Sequence, residues 1–258
     1  MKICRYRFAN EVGIGQLVGD DILECDDELV ATGRKLPAGD VELLSPVTPS
    51  KIVCVGRNYA EHAKELSNAV PTEPLLFLKA PSSIVGPGEP IVVPKQSARV
   101  EHEAELCVVI DRRCKDLGDD DDPFEYISGY TCLNDVTARD LQKSDVQFTR
   151  AKSFDTFCPI GPYIETAVDV SDLEIVCRVN GDIRQRGRTS QMVFPVPFLV
   201  RYISRQMTLM RGDIIATGTP SGVSKMEPGD VCEVEIERLG VLSNPILSAG
   251  ELSPAAHQ

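Results

Sequence analysis

Three carboxylates in this sequence are spaced as a cation site would need them. Glu103 and Glu105 belong to the run Arg99–Ile110, which alternates like one β-strand: Val100, His102, Ala104 and Leu106 point one way and Glu101, Glu103, Glu105 and Cys107 the other. Asp135 follows about a strand later in Cys132-Leu133-Asn134-Asp135. Like charges gathered in a partly buried site repel unless a cation compensates them, and hard oxygen donors select Mg²⁺, Mn²⁺ or Ca²⁺ over Zn²⁺. From spacing alone, a solvated strand face with Asp135 in an unrelated turn is the plainer reading. Glu101 shares the ligand face and competes for the same role, while His102 on the opposite face reads as a structural histidine.

A second group lies in Gly56-Arg57-Asn58-Tyr59-Ala60-Glu61-His62-Ala63-Lys64-Glu65. His62 and Glu65 are spaced i, i+3 on a predicted helix, so their side chains can meet. The carboxylate would then fix the imidazole tautomer and raise its basicity, making a general base for water. An exposed helix with ordinary charge pairs among Glu61, Lys64 and Glu65 explains the isolated pattern more simply. Arg139 and Gln142 follow Asp135, and Lys152 comes a short loop later; each can bind a carboxylate or a developing oxyanion, and each singly is more often a surface side chain or ion-pair partner. The glycines of Gly13–Gly19 miss dinucleotide spacing by a residue, and Ala216-Thr217-Gly218-Thr219-Pro220-Ser221-Gly222 lacks the Gly-Lys-Ser/Thr ending of a phosphate loop, so turns are read there, the second still able to line a site.

The elements that must position these groups are mostly strands. Residues 1–48 alternate around glycines and read as a small N-terminal β-rich unit, with 49–258 as the main domain. The pattern then predicts a strand over 52–55, a short helix from Ala60 to about Leu66, loops and edge strands from Pro71 to Pro94, a strand over 129–133 and a helix over 137–143. A hairpin turns at Asn180-Gly181, a helix is predicted over 197–206, and strands over 213–217 and 231–236 complete a strand-rich second half. No period of 20–50 residues repeats.

Composition narrows the function classes. A chain of 258 residues, 42% hydrophobic and 26% charged, can bury one sizeable core. Its apolar runs are too short to cross a bilayer and its N-terminus lacks a signal core, which predicts a soluble, cytoplasmic protein without membrane association. Nine cysteines without Cys-x-x-Cys spacing predict reduced thiols rather than a disulfide framework or zinc ribbon. A net charge of -12 without Lys/Arg clusters argues against nucleic acid.

In order, Gly-Arg-Asn-Tyr-x-x-His, Phe77-Leu78-Lys79, Glu103-x-Glu105-Leu106, Asn134-Asp135-Val136-Thr137-Ala138-Arg139-Asp140, Ala151-Lys152-Ser153-Phe154 and Thr217-Gly218-Thr219-Pro220 resemble the fumarylacetoacetate hydrolase family over roughly residues 50 to 245. The nearest branch includes acylpyruvases and oxaloacetate decarboxylases and tautomerases. The resemblance implies an α+β, mostly β fold, a mixed β-roll or sandwich, usually as a homodimer. It implies Glu103, Glu105 and Asp135 as ligands of Mg²⁺ or Mn²⁺, His62, Glu65 and Lys152 as catalytic groups, and Arg57, Tyr59, Lys79, Arg139, Gln142 and Thr219 as substrate contacts. Glu101 matches no ligand position. The implied activity is metal-dependent C–C cleavage of a small 2-oxo acid through a stabilised enolate. Oxaloacetate tautomerisation, chemistry on aromatic-degradation or sugar-derived 2-oxo acids (isomerisation or decarboxylation, hydration or dehydration), and a non-enzymatic metal-stabilised binding protein remain as alternatives.

Overall fold

The computed structural model describes residues 1–251. Five short strands, β1 (Lys2–Phe8), β2 (Glu11–Val18), β3 (Asp21–Cys25), β4 (Ala31–Pro37) and β5 (Glu42–Leu44), open the chain as an antiparallel layer. Then come β6 (Ile52–Gly56), α1 (Ala60–Glu65), β7 (Leu75–Lys79), β8 (Ile84–Val85), β9 (Ile91–Val93), β10 (Val100–Glu101), β11 (Ala104–Ile110), β12 (Ile127–Asn134) and β13 (Thr137–Ala138). Two short helices follow, α2 (Arg139–Ser144) and α3 (Thr149–Lys152), then β14 (Cys158–Glu165), β15 (Glu174–Val179), β16 (Asp182–Arg188), α4 (Val196–Gln206), β17 (Ile214–Ala216), β18 (Val231–Ile236) and β19 (Gly240–Ser248).

The strands build a mixed, mostly β fold from two large sheets. One, of 12 strands, runs β4-β3-β2-β1-β14-β12-β11-β17-β6-β7 with β5 added beside β1 and β8 beside β14, so the N-terminal layer continues the main sheet through the β1–β14 pair. The other, of 5 strands, runs β16-β15-β18-β19-β9. β11 lies in the middle of the first sheet and is buried along its whole length, which requires apolar side chains on both faces. Leu106, Val108 and Ile110 meet Ile175, Cys177, Val234 and Ile236 of the second sheet, while Cys107 and Val109 pack with Ile52, Cys54, Ile160 and Ile214 on the other side. The hairpin turns at Asn180 and Gly181, both at positive φ as a two-residue turn of this hand requires. All nine cysteines are free. No helix among the described residues is long and apolar enough to cross a membrane.

Two local expectations fail near the acidic run. Arg99–Ile110 is not one strand: β10 ends at Glu101 and β11 begins at Ala104. Side chains from elsewhere take the backbone groups at the break, Asn134 Oδ1 accepting from the Glu103 N–H at 2.9 Å and Gln185 Oε1 from the Ala104 N–H at 3.0 Å. Thr137 and Ala138 are not helical but pair as β13 with β10, so the helix starts only at Arg139.

Candidate metal and acid–base site

The break in the strand turns Glu103 inward. Glu105 follows on β11, and Asp135 comes directly after β12, its N–H donating to the Glu103 carbonyl at 2.9 Å. The three carboxylates each offer an oxygen within 4.8 Å of the others, and all three residues are buried. Cations already lean on two of them. Lys152 Nζ donates to Glu103 Oε2 at 2.7 Å and Asp135 Oδ2 at 2.6 Å, and Lys79 Nζ donates to Asp135 Oδ1 at 2.6 Å. Burial pushes the Glu103 carboxyl up, but the Lys152 ammonium and Arg139 guanidinium outweigh it and hold this group well below the usual carboxylate range. Glu105 goes the other way: burial, then the negative charges of Asp135 and Glu103, push it well above that range despite a 2.7 Å hydrogen bond from the Gly218 N–H. A buried set of hard oxygens in which burial and mutual repulsion push one member's pKa up is short of positive charge, and this donor set fits Mg²⁺ or Mn²⁺.

The loop that supplies Gly218 is held by steric necessity. Gly218 has φ +95°, and a Cβ there would stand 2.8 Å from Asn58 Cβ, so no other residue fits without displacement. Asn58 in turn ties the turn after β6 to this loop, its Nδ2 donating to the carbonyls of Thr217 at 2.8 Å and Phe194 at 3.0 Å. Its neighbour Arg57 takes φ +58°, an uncommon conformation outside glycine that tends to cluster at functional sites.

The carboxylates open on a cleft of about 420 Å³ whose wall also carries Arg57, His62, Glu65, Arg139, Gln142, Lys152 and Thr219. These seven candidates therefore share one space with the triad. His62 Nδ1 lies 3.2 Å from Glu65 Oε2, and the Gly222 N–H donates to Glu65 Oε1 at 3.0 Å, which fixes the carboxylate. With Nδ1 directed at an acceptor, Nε2 is left as the basic nitrogen. Arg139 is buried and donates to Glu103 Oε1 at 2.5 Å and to Gln142 Oε1 at 2.6 Å. Thr219 Oγ1 donates to the Ala104 carbonyl at 2.8 Å and accepts from Gln185 Nε2 at 2.7 Å. Gln185 is further held beside His102, whose Nδ1 lies 2.9 Å from its Oε1, in keeping with a structural histidine.

Two expected substrate contacts lie elsewhere. Lys79 is behind the cleft wall, its side chain fully enclosed between Asp135 and the Val136 carbonyl, and thus backs a candidate ligand. Tyr59 packs into the apolar core, pairs with Met192 through backbone and has a buried hydroxyl without a partner; burial first, then Glu105, raises its pKa. Residue-type spacing missed Asn134, whose fixing of Glu103 is long-range, and Phe77, Phe148 and Lys143 on the cleft wall. Phe77 lies under Lys152, Nζ standing 5.2 Å from the ring centroid.

The chain is similar to known proteins over most of its length. Residues 51–247 match the family described as fumarylacetoacetate (FAA) hydrolase C-terminal, and residues 1–46 match an N-terminal family described as Rv2993c-like. The human mitochondrial oxaloacetate tautomerase FAHD2A is 44% identical over 225 residues, 82% of this chain and 71% of that protein. The crystal structure of 5-carboxymethyl-2-hydroxymuconate delta-isomerase from Mycobacterium smegmatis is 41% identical with a TM-score of 0.89, covering 96% of this chain and 100% of that one. Maleylpyruvate hydrolase from Sphingobium sp. SYK-6, solved with manganese (II) ion and pyruvate, is 29% identical with a TM-score of 0.80, covering 96% of this chain and 99% of that one. With a match spanning most of its length, the two-sheet fold of its relatives and a buried acidic triad facing a cleft, the chain belongs to the fumarylacetoacetate hydrolase family.

Proposed function

We propose that this protein is a divalent-metal-dependent enzyme that moves a proton at C3 of a small 2-oxo acid, with keto–enol tautomerisation of oxaloacetate as its first activity. The observation that carries the reading is the placement of the His62–Glu65 dyad on the wall of the cleft that also holds the Glu103, Glu105 and Asp135 triad. A dication held by these carboxylates would supply Lewis-acid stabilisation of negative charge developing on the substrate.

The chain's own groups account for the rest. His62 Nε2 takes the proton from C3 and returns it to the 2-oxo oxygen of the enolate, with Glu65 steadying the imidazolium between the two transfers through Nδ1–H. Lys152 spends two of its three N–H donors on Glu103 and Asp135, and the third meets charge arriving at the 2-oxo oxygen. Burial pushes the Lys152 amine down, but Asp135 and Glu103 outweigh it, so it stays an ammonium and acts as a fixed donor rather than a base. Arg57 and Lys143 stand on the cleft wall without an ion-pair partner among the described residues, which favours a substrate carrying a second negative charge.

A second reading is hydrolysis of an acylpyruvate, since a carboxylate-backed imidazole can equally deprotonate water for attack on a distal carbonyl. Stopped-flow decay of oxaloacetate enol with Mn²⁺, run beside pyruvate release from oxaloacetate and acetylpyruvate, separates the two. Metal-dependent enol decay without pyruvate is the expected result, and His62→Ala should lower its rate about 10²–10⁴-fold. Pyruvate from acetylpyruvate would move the assignment to hydrolysis, pyruvate from oxaloacetate to decarboxylation, and full activity after chelation would refute the metal-dependent reading.

A further inference from the structure

Glu101 is the acid that strand alternation put on the ligand face, yet it belongs neither to the carboxylate triad nor to the cleft wall. Its residue is only 1% exposed. Burying a carboxylate is costly unless it is paired and fully hydrogen-bonded, so what it pairs with indicates what it does. Oε2 accepts from Arg139 Nε at 2.6 Å, and Oε1 accepts from Arg99 Nε at 2.5 Å.

The surrounding backbone is arranged to hold that contact. β10 and β13 pair Glu101 with Thr137 and Val100 with Ala138, the residue before Arg139. On its other side Glu101 bridges Lys225, and the Arg139 N–H donates to the Arg99 carbonyl at 2.8 Å. Both ends of the Glu101–Arg139 contact are therefore fixed by strand pairing before the side chains meet.

The guanidinium has five N–H donors in one plane. Nε is taken by Glu101, and one donor on each terminal nitrogen is taken by Gln142 and Glu103. One N–H on each terminal nitrogen remains to donate, and since Arg139 lines the cleft, a carboxylate bound there can accept from both. Without Glu101, the only acid left to Arg139 among the described residues is Glu103, which the triad also needs. The guanidinium would then turn toward Glu103 and lose its aim.

We propose that Glu101 is a positioning residue for anion recognition: by clamping Nε, it orients Arg139 so that the two remaining N–H donors receive the second carboxylate of a dicarboxylic 2-oxo acid. The inference rests on the 2-oxo acid reading of the cleft for its ligand, but the clamp itself can be observed without any ligand.

The test compares wild type, Glu101→Gln, Arg139→Gln and the double variant, each folded by circular dichroism and loaded with Mn²⁺. Calorimetric titration uses two stable ligands, 3,3-difluorooxaloacetate with two carboxylates and pyruvate with one. Glu101→Gln should weaken the dicarboxylate about tenfold, leave pyruvate within about twofold, and add nothing in the Arg139→Gln background, as expected of a residue acting through another. Equal losses for both ligands, or an undiminished effect in the double variant, would overturn the proposal. In parallel, the Arg139 Nε–H resonance of ¹⁵N-arginine-labelled protein should be protected from exchange in wild type and lose that protection in Glu101→Gln. Unchanged protection would overturn the clamp whatever the ligands do. Failure of wild type to bind either ligand, with the exchange difference intact, would instead count against the substrate reading and leave the clamp standing.

Discussion

Lys79→Met is the substitution whose effect the structure fixes most narrowly. The Lys79 side chain is 0% exposed and that of Asp135 is 1%, with Nζ and Oδ1 2.6 Å apart. Breaking a buried pair by removing one partner costs about 3–5 kcal/mol, because the charge left behind is no longer compensated. Asp135 keeps Lys152 at 2.6 Å, although Lys152 is shared with Glu103, so the lower end, about 3 kcal/mol, applies. For a domain of this size that corresponds to melting about 6–12 °C lower in the presence of chelator. A bound dication would resupply the missing positive charge beside Asp135, so saturating Mn²⁺ should raise the melting temperature of the variant more than that of wild type. Scanning calorimetry of both proteins, with EDTA and with Mn²⁺, gives the four numbers needed. A variant that melts within about 2 °C of wild type in EDTA refutes the account, and so does a deficit that Mn²⁺ leaves unchanged. If Lys79 contacted substrate instead, melting would hold and KM would rise.

Three further outcomes follow from the same geometry. The Glu105 carboxyl is raised well above 4.5, so the penalty for burying it is absent at lower pH, where folded and unfolded chains are both protonated, and grows as pH rises toward the folded value. Metal affinity runs the opposite way, and titration of Mn²⁺ above pH 4.5 in buffers of different ionisation heat should show protons released on binding; no release at any such pH would refute the raised Glu105. Tyr59→Phe removes a buried hydroxyl with no partner, so stability should hold or rise by about 1 kcal/mol with KM unchanged, whereas a tenfold rise in KM would restore Tyr59 as a substrate contact. Gly218→Ala meets Asn58 Cβ at 2.8 Å and the Val55 carbonyl at 3.1 Å at a positive φ, and should cost more than about 1 kcal/mol and weaken Mn²⁺ binding through the N–H on Glu105; wild-type melting and affinity would contradict this.

Much of the fold was legible because it depends on local rules: the short strand runs of β11 and β12, the Asn180-Gly181 turn and the helical stretch of α4. The motif order also identified which segments meet at the cleft, and seven of the nine residues expected outside the triad are on its wall. What the chain did not disclose was the orientation of neighbours within a motif. Arg57 and Tyr59 are two residues apart, but the positive φ of Arg57 and the backbone pairing of Tyr59 with Met192 send one side chain to the cleft and the other to the core. The acids show the same limit more sharply. Glu101, Glu103 and Glu105 follow one another at alternate positions, and no local property distinguishes them. Their roles separate through partners that come mostly from distant segments: Arg139, with neighbouring Arg99, for Glu101, Lys152 and Arg139 for Glu103, and no cation side chain within ion-pair distance for Glu105 among the described residues. How much positive charge each carboxylate receives from the protein, and so how much a metal would still have to supply, is fixed only when the β10–β13 ribbon and α3 have packed.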